Sequence, residues 1–309
     1  MRTHPHPYLD VLLNPWAVTR TMLAVIATVA SRRLRDGGSE LTAEERAQLH
    51  EMQKPTPTAR YGSTAVIPVY GVVMPRANLM ADISGGTSFQ ALGEQLRAAV
   101  ADPKVQTIVF DIDSPGGNVA GATEFAREVL AARAVKPIIA QANFQMCSAA
   151  YWIAAAARQI IAAPSASVGS IGVYAIHDDL SKALGAEGVT RTYVSAGKYK
   201  LDGNPDAPLT DHALAAMQAR VDAAYDLFVT DVSRGRGVEP AKIRTGYAEG
   251  AVVNAEEALA LGMVDRIGTL EETLARVTRD TPQEPLRATG QDRAWLRSMQ
   301  RDLLQVGMP

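Results

Sequence analysis

Three short stretches carry residue types that together can run a serine acyl transfer. They are Asp113-Ser114-Pro115-Gly116-Gly117, then Cys147-Ser148-Ala149-Ala150, then Gly197-Lys198-Tyr199-Lys200. A glycine pair in a turn lets the backbone approach a ligand closely and face it with amide N–H groups, as an oxyanion needs. Ser148 can act as nucleophile if a base takes its proton, and Lys200 can be that base if it is held neutral. Ser148 stands at the start of a helix, where free N–H groups and the helix dipole favour a developing negative charge. Each residue also has an ordinary reading. Pro-Gly-Gly is common turn chemistry, and a serine at a helix start is often an N-cap. A lysine is usually solvated. Two rivals stand beside the main candidates. Ser114 is a second serine, but Pro115 removes the amide that often stabilises a nucleophile's own oxyanion. Lys198 would share a face with Lys200 on an extended segment.

These residues need elements to hold them, and the chain alternates between two patterns from Thr64 onward. Ala65–Val73, Thr107–Ile112, Pro137–Ala142, Gln159–Ala163, Ser167–Ala175, Val189–Val194 and Val264–Ile267 read as strands. Several are continuous apolar runs, as expected of strands buried on both faces of a parallel sheet. Helical spacing is found over Phe89–Val100, Ala120–Arg133, Ser148–Ala157, Asp179–Ala186, Asp211–Arg234, Glu239–Thr245, Ala255–Leu261 and Leu270–Arg276. Repeated strand–helix units on short loops argue for an α/β fold with right-handed crossovers. Ser167-Val168-Gly169-Ser170 is interrupted by glycine, which permits close backbone approach to a helix or a bound peptide. Ser170 is placed to support the Lys200 amine.

Three segments follow. Residues 1–63 form a helical extension and linker, residues 64–280 the compact domain, and residues 281–309 a polar tail with one short helix. In the first segment a helix is expected from Pro15 to about Leu34 and a second over Thr42–Gln53. The apolar run Met22–Ala30 is far short of the ~20 residues that span a bilayer, and Arg32-Arg33 follows rather than precedes it. A membrane role is therefore not expected.

Composition narrows the classes further. The net charge is −2 with no basic stripe, which argues against nucleic acid as a partner. Cys147 is the single cysteine, so an internal disulfide and a cysteine zinc site are excluded. His4, His6, His50, His177 and His212 lack metal-ligand spacing, and neither metal nor cofactor is expected.

Taken in order, Asp-Ser-Pro-Gly-Gly, Cys-Ser-Ala-Ala, Ser-Val-Gly-Ser-Ile-Gly-Val and Gly-Lys-Tyr-Lys-Leu-Asp-Gly-Asn-Pro resemble the signal peptide peptidase A family of Ser–Lys proteases. The resemblance covers about residues 64–275 and is strongest to the phage branch, the head-maturation (capsid assembly) proteases. It implies a ClpP/crotonase-like α/β fold of repeated ββα units in a spiral, a Ser148/Lys200 dyad and an oxyanion hole from Gly116, Gly117 and Ala149. It further implies a homo-oligomer in the host cytoplasm or the assembling procapsid, acting on capsid scaffold or portal proteins. The chain departs from the cellular members at Ala149-Ala150-Tyr151, where they usually carry Gly-Gly, and at Leu201, where they usually carry Asp. Two other functions share the fold: a cellular peptidase that degrades signal peptides, and a crotonase-like acyl-CoA enzyme. A ClpP-like triad through His177 is a further arrangement.

Overall fold

The computed structural model describes residues 15–22, 56–76 and 86–279. Two sheets organise them. The larger has the strand order β11-β10-β8-β6-β3-β2. These are Val252–Asn254, Ser167–Gly169, Ile138–Cys147, Thr107–Ser114, Thr64–Tyr70 and Ala59–Tyr61. Its centre, β3, β6 and β8, is parallel, as the apolar runs predict. β8 is long enough to serve two neighbours. Its first half pairs with β9 (Gln159–Ala162), which in turn pairs with β12 (Arg266–Ile267). Its last three residues pair with β10 instead. The sheet therefore forks along β8, and a register shift between Ile112 and Ser114 accompanies the fork.

The smaller sheet has the order β1-β7-β4-β5, from Trp16–Val18, Gly116–Asn118, Val73–Met74 and Thr87–Ser88. Together the parallel sheet, its crossovers and this small second sheet make a mixed α/β fold.

One face of the large sheet is covered by α1 (Phe89–Ala101), α2 (Ala122–Ala132), α3 (Ala149–Ala155) and α5 (Asp211–Arg236). The other face packs Val66, Val109, Ile139 and Ile161 against Leu270, Leu274 and Val277 of α8 (Leu270–Arg279). Buried α3 is apolar all round, as suits a helix enclosed on every side. Its Trp152 stacks on Phe228 of α5 at 4.3 Å and donates Nε1–H to the buried Asp231 (3.1 Å), which also accepts from Thr123 of α2. Two helices, α2 and α5, are thereby tied to the one that follows Ser148.

Three expected elements differ. Ser167–Ala175 is a strand only over Ser167–Gly169. Trp16–Val18 is a strand where a helix from Pro15 was expected, and the helical turn starts only at Arg20. Long-range pairing there overrides the local helical pattern. Val189–Val194 forms no strand. Residues 187–200 run exposed, because β-propensity alone cannot make a strand without a partner edge. The Thr42–Gln53 helix and the tail from Thr281 lie outside the described residues. Residues 16–18 and 59–61, read in the sequence as parts of an extension, both supply strands. Among the described residues no helix is long and apolar enough to cross a membrane.

Candidate active site

Ser148 joins the end of β8 to the start of α3 and is fully buried. Its backbone sits at φ 54°, ψ −118°, outside the regions open to ordinary residues, at a cost on the order of 1–3 kcal/mol. Its side chain makes no capping bond to the helix. The hydroxyl instead lies 3.5 Å from Gly172 O. The backbone is held by two bonds: Ser148 N–H donates to Gly169 O (2.7 Å), and Ser148 O accepts from Trp152 N–H (2.9 Å). A serine on a strained strand-to-helix turn, free of capping, is the backbone arrangement of a nucleophile, although here the residue is buried.

Gly116 and Gly117 come up against it. A Cβ on Gly116 would sit 2.8 Å from Ser148 Cβ and 2.3 Å from Ala17 O, and Gly116 has φ 104°. A Cβ on Gly117 would sit 1.9 Å from Val73 O. No side chain fits at either position. Ser114 is absorbed by this turn. Its hydroxyl donates to Gly71 O (2.6 Å) and accepts from Gly116 N–H (3.2 Å). The Gly116 amide is thus already engaged within the turn, which leaves the Gly117 and Ala149 amides as the candidate donors to a carbonyl docked from outside it.

The strand β1 lies across this centre. It pairs antiparallel with β7, Ala17 opposite Gly117 and Val18 opposite Gly116. On its other edge Trp16 N–H donates to Tyr174 O (2.9 Å), and Trp16 O accepts from Tyr174 N–H (3.1 Å). Thr19 N–H donates to Pro115 O (2.9 Å). Hydrogen-bonded pairs recur at every second residue of an antiparallel ladder, so Ala17 and Gly117 form the next one. Gly117 N–H accordingly faces the Ala17 carbonyl.

Lys200 is in a compact turn on the surface. Its N–H donates to Gly197 O (3.1 Å), and the next bonds are Asp202 N–H to Tyr199 O and Asn204 N–H to Leu201 O. Its ammonium makes no hydrogen bond or ion pair with another described residue. Lys198 is differently placed, its ammonium 5.0 Å from the Tyr199 ring centroid, and that ring stacks on His212 at 4.0 Å. Ser170 has φ 55° and donates its N–H to Ala251 O (2.7 Å). His177 Nε2 is bonded to Ala207 O at 3.2 Å. Burial pushes the Cys147 thiol up to about 12, so it stays protonated and unreactive.

The model of peptidase family S49 matches residues 131–283. The chain is 36% identical over 203 residues to Capsid assembly protease C of Escherichia phage lambda, covering 66% of this chain and 46% of that protein. It is 31% identical over 252 residues to Head-tail preconnector protein GP5 of Enterobacteria phage P21, covering 81% and 50%. A candidate protease of Synechocystis sp. is 30% identical over 197 residues, 60% of this chain and 71% of that protein. The chain belongs to peptidase family S49. It spans about half the length of the two phage proteins it matches.

For this S49 chain, sequence reasoning placed Ser148 and the glycine turn each at the end of a strand, and the fold pairs those strands and brings the two together. It missed Trp16, Ala17 and Val18; it picked out the glycines at 169 and 172, but not that their carbonyls accept from Ser148. The signal for the first three was available in part, since Trp-Ala-Val is a good strand tripeptide behind a proline. Nothing local says which groove it enters.

Proposed function

We propose that this chain is a serine endopeptidase in which Ser148 attacks the scissile carbonyl and Lys200 serves as base. The observation that carries the reading is the Ser148 backbone: strained, uncapped and set against the Gly116-Gly117 turn. Neutral lysine accepts the hydroxyl proton as the carbon–oxygen bond forms. Gly117 and Ala149 N–H groups hold the oxyanion, and the lysine returns the proton to the leaving amine. Water then hydrolyses the acyl-serine.

Because Lys200 is exposed, the base is delivered to Ser148 of a neighbouring copy in a homo-oligomer. The substrate is an extended segment of a protein in phage capsid assembly, such as a scaffold or portal protein, cut beside a small residue. The kinship to Capsid assembly protease C supports that substrate class. A fluorophosphonate probe tests the nucleophile: the label should map to Ser148, and a label on Ser114 refutes the assignment. Mixing Ser148→Ala with Lys200→Met chains tests the shared site. Each is inactive alone, and random mixing should restore about a quarter of the sites. No recovery would mean that serine and lysine act within one copy.

A further inference from the structure

The geometry points to a further site: the Ala17–Val18 peptide bond of this chain is itself a substrate of Ser148 of the same copy. The inference rests on the serine-peptidase reading above. The strand Trp16–Val18 is bonded on both edges, to Gly117 on one side and Tyr174 on the other, as a peptide docked by strand addition would be. All three residues are buried. Trp16 anchors it in a separate apolar cluster with Val72, Met74 and Ile176.

What distinguishes it from a structural strand is the aim of one carbonyl. Ala17 C=O faces the Gly117 N–H that the oxyanion needs. Its oxygen and Ser148 Cβ lie 2.3 and 2.8 Å from the same point beside Gly116. Beyond the bond the channel stays open. A groove of about 680 Å³ runs past Val18, Arg20, Ser170, Gly172, Tyr174 and Gly250.

The chemistry balances as an ordinary hydrolysis. Ser148 Oγ bonds to the Ala17 carbonyl carbon, and its proton passes through the base to the Val18 nitrogen as the Ala17–Val18 bond breaks. One water then releases Ala17 as a carboxylate and regenerates the serine. The products are residues 1–17 and a chain that begins with a free amine on Val18. The groove is cleared for other polypeptides of the same pattern, with a small residue before the cut and an aromatic one before that.

The full chain is purified and followed by intact mass and N-terminal sequencing, with an unfolded casein as a separate reporter. The expected result is complete conversion to a chain starting at Val18, while Ser148→Ala stays whole, alone and mixed with wild type. Ala17→Asp, which puts a carboxylate in the buried position, should slow the self-cut at least tenfold. Wild type that digests casein through Ser148 while its own Ala17–Val18 bond stays intact overturns this inference and leaves the peptidase reading standing. Cleavage of Ser148→Ala chains at the same bond by added wild type overturns the same-copy assignment. If neither casein nor the chain is cut, both readings fall together.

Discussion

At the scale of single residues, two serines compete near one glycine turn, and their partners separate them. Ser114 has both its donor and its acceptor capacity in use inside the turn, so it serves as a brace. Ser148 has a strained backbone and only a long contact for its hydroxyl. The lysines are separated in a similar way, since Lys198 rests over Tyr199 while Lys200 is unengaged among the described residues. Lys200→Arg should therefore be as inactive as Lys200→Met in a peptide-cleavage assay, because a guanidinium keeps its proton at any working pH. Lys198→Met should keep most of its activity. The reverse outcome would assign the base to Lys198. Gly117→Ala tests the turn itself. A methyl 1.9 Å from Val73 O must push β7 away and carry the oxyanion amide with it. A loss of about 10²-fold or more in kcat is expected, with destabilisation of about 1–3 kcal/mol in urea unfolding. Wild-type turnover in this variant would remove Gly117 from the site. These residue types and their order were legible in the sequence. The choice of Ser148 over a capping role was not, because it depends on a φ angle that only the assembled strand and helix impose.

At the scale of elements, legibility followed range. Thr107–Ser114 and Asp211–Arg236 announce themselves through apolar runs and helical period. β1 and the fork of β8 do not, because their partners lie far along the chain. Val189–Val194 shows the converse, a good strand composition with no edge to join. Ion pairs also couple elements that periodicity cannot connect. Asp265, ahead of β12, accepts from Arg236 at the end of α5 (2.6 Å) and from Ile160 N–H in β9 (2.7 Å). Burial works against its charge, but the Arg236 guanidinium and the Ile160 N–H outweigh it and hold the carboxyl below the usual range. Its unfolded pKa is therefore the higher of the two. The stabilisation is complete above the unfolded value, near 4, and fades as pH falls through the lower folded value. Asp265→Asn should lower the melting temperature at pH 7 and narrow its gap from wild type toward pH 3. A gap that stays constant across that range would show that the charge of Asp265 contributes nothing.

At the scale of the whole molecule, the question is where Lys200 finds a serine. The surface between residues 187 and 200 carries Val189, Tyr193 and Val194, the last 98% exposed, beside the lysine. Isolated exposed apolar groups need no explanation, but several of them flanking the proposed catalytic amine suit a contact between copies. The turn that holds Lys200 is stiffened by its own hydrogen bonds, by the Tyr199–His212 stack and by the His212–Asp202 pair (2.7 Å). It can therefore present the ammonium to another molecule without the protein behind it. Val194→Glu tests this with little risk to folding, since an exposed site usually shifts stability by no more than about 0.5 kcal/mol. The variant should sediment as a smaller species than wild type and lose most of its peptide cleavage. Activity should return partly as protein concentration rises and the weakened contact refills. A Val194→Glu chain that sediments as a monomer and cleaves at the wild-type rate would place the whole catalytic site within a single copy.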